Sequence, residues 1–365
     1  MRFTYRSGQR TRESPECEEA GSRTHGARTR TRTSGPAGGW CRLLGGLVLC
    51  LLATAPRASA RPGDLDRSFR GTGIARTRIQ RISDADCLVQ QADGKLVAAG
   101  ASEGGPPFTE TLVRYRANGR LDRSFGGGTG TVTTAFGPGA AAKALVQQSD
   151  GKLVAAGVSS GGGGRFTLVR YNADGSPDPS FGEGTGTVVT QFIPGLATSD
   201  SNTGQASALV QQADGKLVAA GTSTSGLGPA VYQNRIALVR YNADGTLDPT
   251  FGAGTGIVIT LIGGCTSASA LVLQPDGKIV VAGASGPCTV VSEPGTRSPD
   301  FFTLVRYNVD GTLDQSFGRL GSGAVTVPSG GFAFDLVQQA DGKLVAAGSQ
   351  RLHQYDVFTV VRYLD

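Results

Sequence analysis

Few side chains in this 365-residue chain could do chemistry, and most of those recur. The tract Asn172-Ala-Asp174-Gly175-x-x-Asp178, echoed at Asn242 to Asp248 and Asn308 to Asp314, spaces oxygen ligands as some calcium loops do. A hard-cation site needs more carboxylates than this. Asn-x-Asp-Gly is also turn chemistry, in which Asx side chains bond nearby backbone and glycine takes positive φ. The turn is the favoured reading, no metal ligand is assigned, and calcium is the one cofactor left open. An arginine precedes a tyrosine five times, at Arg114, Arg170, Arg240, Arg306 and Arg362. Since each unit also carries one aspartate in a Leu-Asp block, the arginine reads as half of a structural ion pair, a planar fork on a carboxylate, rather than as part of an anion-binding ring.

Cys265 and Cys288 flank the Asp276-Gly277 turn at equal offsets, eleven residues on each side. A hairpin extended that far would set them opposite each other, within the span of a disulfide. Cys87 falls where other units have Ala144, Ala208 and Ala270, so it reads as a small buried residue with nothing nearby to activate it. Beyond the first 60 residues there is a single histidine, His353, and no zinc-type cluster, phosphate loop or dinucleotide fingerprint. No catalytic residue is assigned. A pair of carboxylates for polysaccharide hydrolysis would have to come from side chains outside the repeat: Glu103, Glu110, Asp200, Glu293, Asp300 or Asp356.

The elements that must position these residues are set by an internal repeat. Asp-Gly-Lys recurs at Asp93, Asp150, Asp214, Asp276 and Asp341, at spacings of 57, 64, 62 and 65 residues. Each copy lies inside the pattern Leu-Val-x-Gln-x-Asp-Gly-Lys-(Leu/Ile)-Val-x-Ala-Gly. A block ending in Arg-Tyr follows about twenty residues on by the same repeat phasing. A third block, Leu-Asp-x-(Ser/Thr)-Phe or a close variant, begins at Leu65, Leu121, Pro177, Leu247 and Leu313.

The β-branched and apolar runs, punctuated by turn residues and without helical period, predict four short strands per unit. In the second unit they fall at about 131–134, 144–148, 152–157 and 166–171 by these patterns. Asp-Gly between apolar runs predicts a tight type I′ hairpin. The expected fold is all-β, five four-stranded repeats arranged as a five-bladed β-propeller, with each blade made from one repeat.

The blocks Leu-Asp-x-Ser-Phe-Gly, Leu-Val-x-Gln-x-Asp-Gly-Lys-Leu-Val-x-Ala-Gly and Phe-Thr-Leu-Val-Arg-Tyr-Asn-Ala-Asp-Gly resemble the delta-60 repeat of secreted bacterial β-repeat proteins. The resemblance covers residues 63 to 365, with departures at Pro177 and at Arg116-Ala-Asn118-Gly119. It implies a repeat protein and carries no chemistry with it.

Residues Leu43 to Ala55 form an apolar run between Arg42 and Ala58-Ser59-Ala60, the pattern of a signal peptide cleaved after Ala60. The run is shorter than a membrane span, so no transmembrane segment is expected in residues 61–365. The Arg/Thr-rich stretch before it is consistent with a misassigned translation start. Residues 1–60 are thus a leader, and residues 61–365 the repeat domain. The leader holds ten Arg and four Glu, which leaves 25 basic and 25 acidic residues in the domain. That neutrality argues against a nucleic-acid partner. A secreted or cell-envelope protein follows, with an unknown extracellular ligand.

Loops joining the hairpins differ in length between units, whereas the Asp-Gly turns do not, and repeat proteins place insertions on their binding face. The longest lie at 193–205, 222–234 and 284–299, where Tyr232 and Glu293 are side chains outside the repeat. The leading expectation is a non-catalytic binding or adhesion scaffold using this face. A polysaccharide hydrolase and a structural envelope protein are the alternatives.

Overall fold

A computed structural model of the chain describes residues 61–103, 108–135, 139–159, 165–192, 202–228, 231–288, 301–327, 331–352 and 355–364. Residues 1–60, His353, the insertion at 193–201 with Asp200, Glu293 and Asp300 lie outside these residues. Among the described residues no helix is long and apolar enough to cross a membrane.

Five antiparallel sheets follow one another. The first holds β1 (Ile82–Gln90), β2 (Leu96–Glu103), β3 (Thr109–Tyr115) and β4 (Thr131–Thr134); the second holds β5 (Ala140–Gln147), β6 (Leu153–Ser159), β7 (Arg165–Tyr171) and β8 (Thr187–Thr190). The third is built from β9 (Asn202–Gln211), β10 (Leu217–Gly228), β11 (Val231–Tyr241) and β12 (Ile257–Thr260). The fourth comprises β13 (Cys265–Leu273), β14 (Ile279–Gly286), β15 (Phe301–Tyr307) and β16 (Ala324–Val327), and the fifth β17 (Gly331–Gln338), β18 (Leu344–Leu352) and β19 (Tyr355–Tyr363).

Two expectations are corrected here. The strand at 131–134 does not open the second sheet; it pairs with β3 and closes the first. The chain leaves β3 at Tyr115, turns through Leu121, which bridges back to Tyr115, and returns antiparallel to its own sheet. Blade and repeat are therefore offset by one strand, and the fifth described sheet has three strands instead of four. The Asp-Gly turn also differs from type I′. At Gln148 to Lys152 the Gly151 amide donates to the Gln148 carbonyl and only Gly151 has positive φ, at 85°, while the Lys152 amide donates to Asp150 Oδ1. This is a type I turn followed by a left-handed glycine, the three-residue hairpin form.

Each innermost strand carries a β-bulge opposite the glycine of Val-x-Ala-Gly, for example between Ala142 and Ala144 across from Gly157. A Cβ at Gly157 would lie 1.9 Å from the Ala141 carbonyl oxygen. The small residue thus admits the bulged backbone, and the bulge bends the strand.

Four apolar layers separate successive sheets. Val97, Phe125 and Val169 belong to the first, Phe166, Phe181 and Leu217 to the second, Phe251, Ile279 and Tyr307 to the third, and Phe302, Phe317 and Leu344 to the fourth. Inter-sheet packing, rather than any single sheet, buries the chain's apolar area, as in propellers. Among the described residues the outward faces of the first and fifth sheets have no such layer: Leu88 is 61% exposed and Phe358 89%.

Candidate functional site

The repeated Arg and Asp form a clamp in the first four repeats, whereas Arg362 of the fifth, expected to do the same, is exposed and makes no such pair among the described residues. Arg170 Nε donates to Asp178 Oδ2 at 2.6 Å, its Nη2 to the Ser180 hydroxyl at 2.8 Å, and its Nη1 to the Ala243 carbonyl of the next unit. The guanidinium also lies 4.6 Å from the Phe181 ring centroid. Arg114, Arg240 and Arg306 repeat the arrangement on Asp122, Asp248 and Asp314. Burial opposes ionisation of Asp248, but the Thr250 amide and hydroxyl and Arg240 outweigh it and hold its pKa down at about 2. Lys152, the lysine after Asp-Gly, reaches Asp178 at 3.1 Å and ties the hairpin to the same carboxylate. All four arginines are buried and bonded within their own unit, and Arg114, Arg170 and Arg240 also bond the following unit, so they are structural.

The Asn-x-Asp-Gly oxygens are likewise engaged by the protein. Asp174 Oδ1 accepts from the Ser176 amide and hydroxyl, while Asn172 donates its side-chain amide to the Ser176 hydroxyl. Among the described residues no group of three His, Cys, Asp or Glu is placed to hold a metal ion. Cys87 Sγ donates to the Ala99 carbonyl, and burial, then the charges of Asp86 and Glu110, push its thiol up to about 12.

A disulfide joins Cys265 and Cys288, with Cα atoms 5.0 Å apart. The three-residue turn and the bulge between Ala268 and Ala270 each shift the register by one residue, so that Gly286 stands opposite Cys265 and the bond closes beyond the strand end. The 222–234 insertion is no loop: β10 and β11 are longer than their counterparts and pair out to Gly228 and Val231. Tyr232 stands on β11 opposite Gly226. The Asn234 amide donates to Cys265 Sγ and the Gln233 side chain to the Gly264 carbonyl, so this hairpin leans on the disulfide of the next sheet.

One side chain breaks the repeat inside the packed core. Glu110 is the second residue of β3, at the end of the strand away from the Asp-Gly turn, and is 1% exposed. Later units put Phe166, Ile236, Phe302 and Phe358 in its place. Tyr171 of the second sheet donates its hydroxyl to Glu110 Oε1 at 2.9 Å and lies 2.7 Å from the Thr134 hydroxyl. Burial raises the Glu110 carboxyl to about 7 against the opposing effect of the Tyr171 bond. Burial, and then the charge of Glu110, push the Tyr171 phenol well above its ordinary range.

Glu103 is the nearest candidate in sequence. Ala101 pairs with Glu110 across β2 and β3, and Glu103, two residues beyond Ala101, lies on the same sheet face. Such diagonal neighbours are roughly 7–8 Å apart. Asp356, by contrast, is exposed on β19 in the fifth sheet. Of the six carboxylates singled out from the sequence, the described structure brings together Glu103 and Glu110. The departure from Phe at position 110 was the readable signal.

Five segments of the chain, 91–125, 148–181, 212–251, 274–291 and 296–317, match the family described as "Domain of unknown function (DUF5122) beta-propeller". The match supports a β-propeller repeat family. No curated protein matches the chain. Among solved structures, it is similar to an ulvan lyase of polysaccharide lyase family PL25, bound to -[GlcA(1-4)Rha3S]-, with a TM-score of 0.48, 9% identity, and 79% of this chain and 69% of that one covered. It is also similar to the GH43 endo-arabinanase of Bacillus licheniformis, with a TM-score of 0.36, 12% identity, and coverage of 76% and 93%. The α-L-arabinanase of Cellvibrio cellulosa, complexed with arabinohexaose, aligns with a TM-score of 0.37, 12% identity, and coverage of 77% and 92%. At these identities the likeness is one of sheet arrangement. The expectation of a non-catalytic scaffold is corrected: the structures that the chain is similar to are those of carbohydrate-active enzymes.

Proposed function

We propose that the chain is an exported β-propeller hydrolase acting on polysaccharide, with its reaction centre at the variable end of the first sheet. The observation that carries this reading is Glu110: a carboxylic acid with a pKa near neutrality, buried where its sister units use apolar side chains. A buried carboxyl that a protein keeps against its own repeat pattern marks a site where function overrides packing. At pH 7 such an acid is half protonated and can donate to a glycosidic oxygen.

Glu103 supplies the second carboxylate. As diagonal neighbours their backbone positions are roughly 7–8 Å apart, and the mechanism proposed is that of an inverting glycosidase, which holds a water molecule between its two carboxyl groups. Glu110 gives its proton to the leaving oxygen as the bond to the anomeric carbon breaks. Water attacks that carbon from the opposite side and loses its proton to Glu103. The Tyr171 hydroxyl holds the Glu110 carboxyl in place. Because Glu110 is covered, substrate entry requires displacement of the groups above it.

The test is release of reducing ends from a panel of neutral and acidic polysaccharides. Glu110→Gln is expected to lower the rate by at least 100-fold, while Glu110→Phe, which restores the residue found in three of the other units, is expected to abolish activity in a better folded protein. A panel left uncut by the parent chain, or cut equally by both variants, would overturn the reading.

A further inference from the structure

Six arginines surround one cavity of about 510 Å³ between the segment at 70–78 and the first sheet: Arg70, Arg76, Arg78, Arg116, Arg120 and Arg123. None of them belongs to the repeat. The corresponding places in the second unit's blocks are Gly126, Thr133, Ala135, Asn172, Ser176 and Pro179. The domain's overall neutrality conceals this concentration, because the arginines come from two separate stretches of sequence, 70–78 and 116–123, that the fold brings together.

The charge there is not balanced by the protein. Asp122 is 3.7 Å from Arg116 but is already bonded to Arg114, and the other five have no carboxylate partner among the described residues. Arg70 also has a φ of 56°, in the left-handed region where the other units place Gly126, Gly182 and Gly252. Its amide still makes the repeated inter-unit bond, to the Asn118 carbonyl at 2.9 Å. A bulky residue is therefore held in a glycine conformation where glycine would serve the fold.

We propose that this cavity binds the acidic groups of an anionic polysaccharide, carboxylate or sulfate, as a subsite separate from Glu110. The inference rests on the carbohydrate reading above and specifies its substrate class. Guanidinium groups offer paired donors that match planar carboxylates and sulfate oxygens, and a volume of this size suits a small ligand unit. Nucleic acid is the poorer fit, because single-strand binding relies on exposed aromatic platforms. The aromatic residue lining the cavity, Tyr115, is half-buried with its hydroxyl bonded to Thr77 at 2.8 Å. Tyr115 and Glu110 are five positions apart on β3 and so face opposite sides of the sheet.

The experiment is affinity electrophoresis of the full chain in gels containing polygalacturonate, dextran sulfate, neutral dextran or single-stranded DNA. The variants are Arg120→Ser/Arg123→Ser, two exposed positions, and Arg319→Ser/Lys343→Ser, an equal charge change elsewhere. Retardation by polygalacturonate or dextran sulfate, weakened tenfold or more by the first pair and little by the second, is the expected result. The two gels distinguish carboxylate from sulfate. Equal loss with both pairs, or stronger binding to DNA than to either acidic glycan, overturns the proposal. Cleavage of neutral glycan alone, without acidic-glycan binding, removes the subsite and leaves the hydrolase; acidic-glycan binding at the cavity without any cleavage does the reverse.

Discussion

At the scale of residues, Glu110 sets a pH signature. Its folded pKa, about 7, lies above the ordinary carboxyl value of 4.5. The folded chain holds this proton more tightly than the unfolded one, so the group's relative stability is full below pH 4.5 and is lost as pH rises through 7. The shift corresponds to about 3 kcal/mol. Denaturant midpoints measured from pH 4 to 8 should fall across that window in the parent chain and stay flatter in Glu110→Phe. The clamp aspartates act in the opposite direction. Asp248 is depressed to about 2, so its contribution is present above the ordinary value of 3.8 and is lost as pH falls through 2. Asp178→Ala leaves Arg170 buried without its carboxylate and is expected to cost about 3–5 kcal/mol, read from urea unfolding. The Arg-Asp pairing was legible because both residues recur once per unit. The arginine cavity was not, since a net charge summed over the domain says nothing of where charges meet.

Elements repeat the lesson in another form. The Asp-Gly hairpins, the strand content and the pairing of Cys265 with Cys288 follow from turn chemistry and alternation, although the two cysteines do not stand directly opposite. The membership of 131–134 does not: its β-branched pattern suits either neighbouring sheet, and the choice is made by the Tyr115 to Leu121 bridge and the Arg114 clamp, which fold the chain back. The turn type was misjudged for a similar reason, since Asp150 accepts the Lys152 amide without leaving negative φ. Two element-scale outcomes follow. Gly221→Ala would bring a Cβ to 1.9 Å from the Gln205 carbonyl oxygen, and this overpacking should cost about 1–3 kcal/mol. Cys265→Ser/Cys288→Ser should cost about 3 kcal/mol, with amide exchange quickening in β10, β11 and β13 rather than in the first sheet, because the long hairpin leans on Cys265.

For the whole molecule, the two end sheets decide behaviour. The first presents Leu88 and the fifth presents Phe334, Val337, Phe358 and Val360, each more than half exposed. Apolar surface of this kind promotes association. Sedimentation velocity should show concentration-dependent self-association that Phe358→Asp/Val360→Thr reduces; a monomer at every concentration would show the faces to be harmless. The middle sheets, covered on both sides, are insulated from this.

The guanidinium that reaches from each of the first three units into the turn of the next has a mechanical consequence. Arg114, Arg170 and Arg240 each bond a carbonyl of the following unit, at Ala173, Ala243 and Val309. A chain so latched, loaded by force at its two ends, gives way one link at a time, because losing one unit removes a latch point from its predecessor. Single-molecule stretching should therefore show a sawtooth whose steps each release one repeat, roughly 200 Å of contour for about 60 residues. A single all-at-once rupture would mean that the sheets are bound more tightly across the array than between neighbours.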